Sequence, residues 1–351
     1  MYEFRTAKSI HAMRPPVAHV EEDERFDETG TAVALLGLGV MASQLKCEAA
    51  VESLGVVGGW AGRVYLFTDK PQCFDVASMR LSSGTDLRLV DIDDGRDYSA
   101  GFALPSLGAT KGNRLRAKLL KSRIFKEITD KTIQQVLYMD CDIVVAQTGC
   151  VRPMLSAAFG GWRDDEDIRF RVLSPGGVRR QFDHPERFRI HAGFFAARRD
   201  RSWRALEAWE AELSTLKYAH DRLAFLAAKK RVREHAVATG DATDDFMRVG
   251  TWKGEWERFA DVRRELSCVV HVSHKRCFWQ GRANIQTIIE RLNLTVHAAH
   301  GGAPYCESVW TYPFTLSWLP YKSCRKIETL LLPRPSSPVP AQPASPPLLL
   351  D

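Results

Sequence analysis

The chain lacks a long apolar run. Its longest, Thr31 to Ala42, is broken by Gly37 and Gly39 and falls short of the ~20 residues that cross a bilayer, so no membrane span is expected. The first thirty residues are polar, carry the acidic run Glu21, Glu22, Asp23 and Glu24, and hold no apolar core of the kind a secretory signal needs. Cys-x-x-Cys pairs are also missing. The eight cysteines are spread thinly from Cys47 to Cys324, read as neither a disulfide scaffold nor a zinc framework, and do not fix a redox compartment. No basic stripe carries regularly spaced aromatics, because Lys and Arg are interleaved with Asp and Glu, so nucleic acid is not an expected partner. There is no internal repeat.

What is present is a globular composition, 45% hydrophobic and 26% charged over 351 residues, enough for a sizeable core. A net charge of +6 gives a mild bias toward anionic ligands such as a pyrophosphate. Val33-Ala34-Leu35-Leu36 reads as a strand buried on both faces, and Met41, Leu45 and Ala49 then recur at helical spacing up to Gly58-Gly59. Val64 to Phe67 and Leu87 to Val90 read as further strands, Leu120, Ile124 and Ile128 as one helix face, and Val136 to Met139 as the next strand. This alternation predicts an α/β fold with a mixed, mostly parallel, Rossmann-like sheet flanked by helices. Farther on, the pattern gives strands at Ile168 to Val172, near Gly193 and at Val269 to Val272. Helices are expected over Trp203 to Leu213, Leu223 to Lys230 and around Ile285, Ile288, Ile289 and Leu292. The expected organisation is a polar leader over 1–30, a single large domain over 31–332, and a tail over 333–351. Proline, serine and alanine keep that tail from forming a packed core.

The most informative segment is Gln135-Val136-Leu137-Tyr138-Met139-Asp140-Cys141-Asp142-Ile143-Val144-Val145, an apolar run interrupted by two carboxylates. Because side chains alternate along a strand, Asp140 and Asp142 are expected to point the same way, at the C-terminal end where open α/β sheets bind ligands. Two unpaired carboxylates there would be costly, so a divalent Mn or Mg ion that bridges to a diphosphate is the natural partner. A second triplet, Asp91-Ile92-Asp93, is followed by Asp94, Gly95 and Arg96 and reads as a solvated turn. Arg114, Lys118 and Lys121 lie at i, i+4 and i+7 of a helix and form a candidate cationic wall beside a pyrophosphate.

The Val-Leu-Tyr-Met-Asp-Cys-Asp-Ile-Val-Val run resembles the signature strand of GT-A nucleotide-sugar glycosyltransferases, particularly family-8-like ones. The resemblance implies a nucleotide-binding half over 31–146 and an acceptor half over 147–332. It also implies a nucleotide-sugar donor, with UDP-sugars favoured, and an unknown glycan, protein or small-molecule acceptor. Ala117-Lys118-Leu119-Leu120 is similar to the family segment whose basic residue approaches the donor phosphates, which makes Lys118 the first candidate there. Arg189-Ile190-His191-Ala192-Gly193 is similar to the turn that lines the sugar pocket, with His191 where the family usually has Asn and with Gly193 letting backbone approach the ligand. Asp221, before Arg222, stands where the family tends to have an Asp-Gln pair near the reacting centre; it also fits a helix N-cap. Val270-His271-Val272-Ser273-His274-Lys275 resembles the segment whose His is a third metal ligand and whose Lys approaches the phosphates. His271, at the end of an apolar run, is preferred to His274 as that ligand, and Lys275 is the phosphate candidate. The sequence as given is expected to be cytoplasmic, or Golgi-lumenal if an N-terminal anchor precedes it.

A competing reading starts from Gly37-Leu38-Gly39-Val40-Met41-Ala42, which fits a dinucleotide fingerprint, with Asp69 at the end of the next strand as the ribose partner. That would make the chain an NAD(P)-dependent oxidoreductase. However, a nicotinamide site has no need of the Asp140 and Asp142 pair, and Asp69 lies beyond the usual ~20-residue spacing. The departures at His191 and Arg222 also fit a non-catalytic relative that binds sugar. Trp252, Trp256 and Trp279 are aromatics able to stack on sugar rings, though none is specific enough to assign.

Overall fold

In the computed structural model, residues 26–38, 45–69, 71–74, 76–92, 118–163, 166–172, 190–215, 217, 221–239, 249–252, 257–259, 268–271 and 288–294 are described. Most of the polar leader and the whole proline-rich tail lie outside them.

The apolar run after Gly30 forms β1 (Thr31–Gly37), every residue of which is buried. Period-2 alternation explains why: Ala32, Ala34 and Leu36 enter one core layer, and Val33 and Leu35 the other. β1 runs parallel to β2 (Arg63–Thr68) on one side and to β4 (Gln135–Asp140) on the other, and β3 (Asp86–Asp91) extends the sheet beyond β2. β7 (Ile190–Arg198) pairs antiparallel with β4 and with β6 (Ile168–Val172), and β8 (Val249–Trp252) lies parallel to β6. The seven-stranded order is β3-β2-β1-β4-β7-β6-β8, with β7 alone running against the rest. This is the mixed, mostly parallel sheet expected from the sequence.

Helices cover both faces. On one, α1 (Leu45–Glu52) continues into a π-helical turn over Ser53–Val57 and ends at Gly58, and α3 (Val151–Phe159) packs into the same layer. On the other lie a helical stretch at 118–122, α2 (Ile124–Glu127), α4 (Trp203–Ser214) and α5 (Asp221–Thr239). In α4 the buried residues Ala205, Leu206, Trp209 and Leu213 recur at helical spacing. The Trp209 ring meets Phe170, Phe195 and Phe225 edge-on, between 5.3 and 6.1 Å. α5 is longer than the Leu223 to Lys230 expectation in both directions.

A second sheet joins β5 (Ile143–Val145), β10 (Val269–His271) and β9 (Glu257–Phe259) in the order β5-β10-β9. Two disulfides, Cys47–Cys141 and Cys150–Cys268, correct the expectation that the cysteines form no disulfide framework. They join positions 94 and 118 residues apart, and thin spacing along the chain cannot reveal pairs that only the fold brings together. Cys73 is disulfide-bonded as well.

Candidate functional site

The strand order fixes where a ligand crevice belongs. From β1 the sheet is built outward through β2 and β3 on one side and through β4 on the other, so the order reverses between β1 and β4. In such sheets the crevice opens at the carboxyl ends of those two strands. There Leu36 is paired with Asp140, and β1 ends at Gly37.

Alternation along β4 decides what meets Asp140. Leu137, Met139 and Cys141 enter the core layer shared with α1, whereas Tyr138 enters the layer shared with α4 and α5. Asp140 has the parity of Tyr138. Its Oδ1 accepts a hydrogen bond from the Tyr138 hydroxyl at 2.8 Å and lies 2.7 Å from the Lys121 ammonium. Lys121 is buried and also lies 2.9 Å from Asp221 Oδ2, with a third contact to the Ala192 carbonyl at 3.3 Å. Lys118 reaches the same Asp221 oxygen at 3.0 Å from a partly exposed position. The order of the network is therefore Tyr138, Asp140, Lys121, Asp221, Lys118.

Its electrostatics follow from burial and pairing. Burial alone would raise the Asp221 pKa, but the Lys118 and Lys121 ammonium groups outweigh it and hold the carboxyl well below its ordinary range. Burial would likewise lower the Lys121 pKa, yet Asp140 and Asp221 hold it above the usual lysine value. Burial, reinforced by the Asp140 charge, pushes the Tyr138 phenol well above its normal pKa, so it remains a donor. Asp221 is the first residue of α5, where a carboxylate is favoured, and its Oδ1 accepts from the Arg222 backbone N–H at 3.0 Å. Its main-chain oxygen accepts from the Trp209 indole at 3.0 Å.

Of the cationic wall expected from Arg114, Lys118 and Lys121, the described part is Lys118 and Lys121, both paired with Asp221. Lys121 is spent internally between two carboxylates, and Arg114 lies outside the described residues. A sequence signal for this exists. Lys121 stands three residues before Ile124 and seven before Ile128, and so shares the face those two bury.

Asp142 goes elsewhere. β4 ends at Asp140 and the chain turns at Cys141 and Asp142 before β5 enters the other sheet, so the alternation argument for two carboxylates on one strand face does not apply. The antiparallel register that sets His271 opposite Ile143 brings His271 to Asp142, with Nε2 at 3.1 Å from Oδ2. The His191 ring lies 4.8 Å from the His271 ring. Gly193 leaves room beneath Asp140: a Cβ there would sit 2.2 Å from Asp140 Oδ2 and 3.2 Å from His191 Nε2. Among the described residues no three His, Cys, Asp or Glu side chains are gathered as a finished metal-ligand set. A hard-oxygen and imidazole donor set nevertheless fits a divalent ion chemically, and the missing Cβ at Gly193 leaves the carboxylate its place.

The remaining candidates are dispersed. Gly37 is small because a Cβ there would lie 2.7 Å from Cys47 Sγ and 3.4 Å from Leu66 Cδ1, so its glycine serves the packing of the disulfide. Asp69 is partly buried one residue beyond β2, and Asp91 is exposed at the end of β3. Lys275, His274, Trp256, Trp279 and Gly39 to Ala42 lie outside the described residues.

No family model matches the chain, and no curated protein matches it significantly. Among solved structures, the crystal structure of mouse xyloside xylosyltransferase 1 in its apo form is similar with a TM-score of 0.40 and 12% identity, covering 69% of this chain and 97% of that one.

Proposed function

We propose that the chain is a GT-A-type glycosyltransferase that moves a sugar from a nucleotide-diphosphate donor to an acceptor hydroxyl. The observation that supports this most directly is the placement of Asp140 at the β1/β4 switch point, next to an Asp142–His271 contact of 3.1 Å. A divalent Mn or Mg ion would be held by Asp142 and His271, with Asp140 as the third donor. When bound, it would neutralise charge developing on the leaving diphosphate.

The chain's own residues divide the remaining work. Lys121 and the Tyr138 hydroxyl hold one Asp140 oxygen and so fix the carboxylate's orientation. Gly193 keeps the space under the other oxygen clear. Lys118, with 27% of its side chain exposed, is the cation of the network that can turn to an incoming phosphate, a charge-assisted contact. Asp221, held by two ammonium groups, orients both lysines, and this reading gives it no nucleophilic role. His191, its ring tilted beside that of His271, is the side chain this reading assigns to the sugar. A UDP-sugar donor rests on the family resemblance alone.

The test is to incubate purified protein with Mn and a panel of nucleotide sugars, without acceptor, and to measure nucleotide release. The expected result is metal-dependent release from at least one donor, lost in Asp142→Asn and in His271→Ala. Absence of release and of nucleoside-diphosphate binding across the panel would overturn the reading.

A further inference from the structure

The Asp142–His271 contact joins two short segments held together by a three-pair ladder, by buried apolar side chains and by one covalent bridge. β5 and β10 are three residues each, and their ladder consists of the pairs Val145 with Val269, Val144 with Val270 and Ile143 with His271. Short pairings of this size are marginal by themselves. One end of the ladder carries Asp142 and His271. The other end is closed covalently: Cys268 precedes Val269 and is bonded to Cys150, and the Ala146 backbone N–H donates to the Cys268 carbonyl at 2.7 Å. From the β5 side, the Val145 N–H donates to Ser53 Oγ at 3.0 Å, which ties the strand to the π-helical turn that follows α1. Cys141, between the two aspartates, is bonded to Cys47 in α1. The two bridges thus bracket the segment that carries Asp142, and one of them lies three residues before His271.

We propose that the Cys150–Cys268 bridge is a positioning element of the site: it sets the β5–β10 register and thereby holds His271 against Asp142. Both cysteines are buried, so the bridge is a permanent brace in the folded chain and not an exposed, exchangeable one. It also requires that the chain fold where disulfides form and persist, an oxidising compartment. The metal-binding consequence rests on the functional reading above; the register consequence does not.

The experiment compares the oxidised wild-type chain with Cys150→Ala/Cys268→Ala. Two quantities are read: Mn affinity in the presence of nucleoside diphosphate, and hydrogen exchange of the Ala146 amide against amides of β1 and β4. The proposal expects Mn affinity to fall at least tenfold and Ala146 protection to be lost, while β1 and β4 stay protected. Unchanged Ala146 exchange would overturn it. So would loss of protection throughout the seven-stranded sheet, because the bridge would then be a general stabiliser with no particular bearing on His271. If the wild-type chain binds no Mn, the functional reading fails, and the Ala146 measurement still decides whether the bridge sets the register.

Discussion

A methyl group on Gly193 would fall 2.2 Å from Asp140 Oδ2 and 2.8 Å from Asp140 Cγ, so the carboxylate occupies the volume that any other residue would claim at position 193. Asp140 directly follows Met139, which is paired with Phe194 on β7, and the strand register therefore lays the carboxylate over the glycine. The Oδ1 contacts to Lys121 and Tyr138 resist any shift of the carboxylate.

Gly193→Ala should therefore move Asp140 without unfolding the chain. Overpacking of this kind costs about 1–3 kcal/mol, and the upper part of that range is expected here because the displaced carboxylate is held by Lys121 and Tyr138. Nucleotide release should fall by far more than that stability loss accounts for. Thermal melting and the release assay on the same preparation check it, and wild-type turnover in the Ala variant would contradict the arrangement.

The sheet was legible where its strands are buried over a continuous apolar run; β1, β2 and β4 fall on Val33 to Leu36, Val64 to Phe67 and Val136 to Met139 with one or two residues added at each end. The site was legible only in part. Asp140 and His271 stand out because each closes an apolar run, but the turn that separates Asp142 from the strand leaves no mark in the spacing. Lys121 was the larger miss. Its spacing from Ile124 and Ile128 puts it on the buried face, but its partner Asp221 lies 100 residues away and leaves no local mark. The disulfides were hidden for the same reason, being contacts of the fold and not of neighbouring sequence.

The two lysines on Asp221 should behave differently. Lys121→Met leaves Asp140 without its buried cation and Asp221 with Lys118 alone, and breaking a buried pair in this way costs about 3–5 kcal/mol. Lys118 has solvent access, so Lys118→Met should cost about 1 kcal/mol or less and instead weaken nucleoside-diphosphate binding. Denaturant melts and calorimetry with a nucleoside diphosphate separate the two effects; equal destabilisation by both substitutions would contradict the network.

Asp221 sets an acid limit. Its folded pKa is depressed, chiefly by Lys118 and Lys121 against the opposing effect of burial, so its contribution to stability is fully present above the unfolded aspartate value near ~3.9 and is lost as pH falls below it. The wild-type chain should therefore lose stability steeply below about pH 4, and Asp221→Asn, less stable at neutral pH, should show a shallower acid slope. Melting temperature measured from pH 3 to pH 7 for both proteins checks the sign. Parallel curves would mean that Asp221 is not the group that titrates.

The two aspartates of the motif should separate in stability while agreeing in function. Asp140 accepts from a buried ammonium and a buried phenol, and a hydrogen bond to a charged group is worth about 1.5–3 kcal/mol, so Asp140→Asn should lower the melting temperature clearly. Asp142 lies in a turn, and its carboxylate meets His271 Nε2 at 3.1 Å. Asp142→Asn keeps the shape and can still meet the imidazole as a neutral partner, so its melting temperature should stay close to wild type. Both substitutions remove a carboxylate from the proposed donor set, and both should reduce Mn affinity in the presence of nucleoside diphosphate by tenfold or more. Thermal melts and Mn titrations on the pair check this. If Asp142→Asn binds Mn like wild type, the Asp142–His271 contact is an ordinary turn contact and the proposed metal site is misplaced.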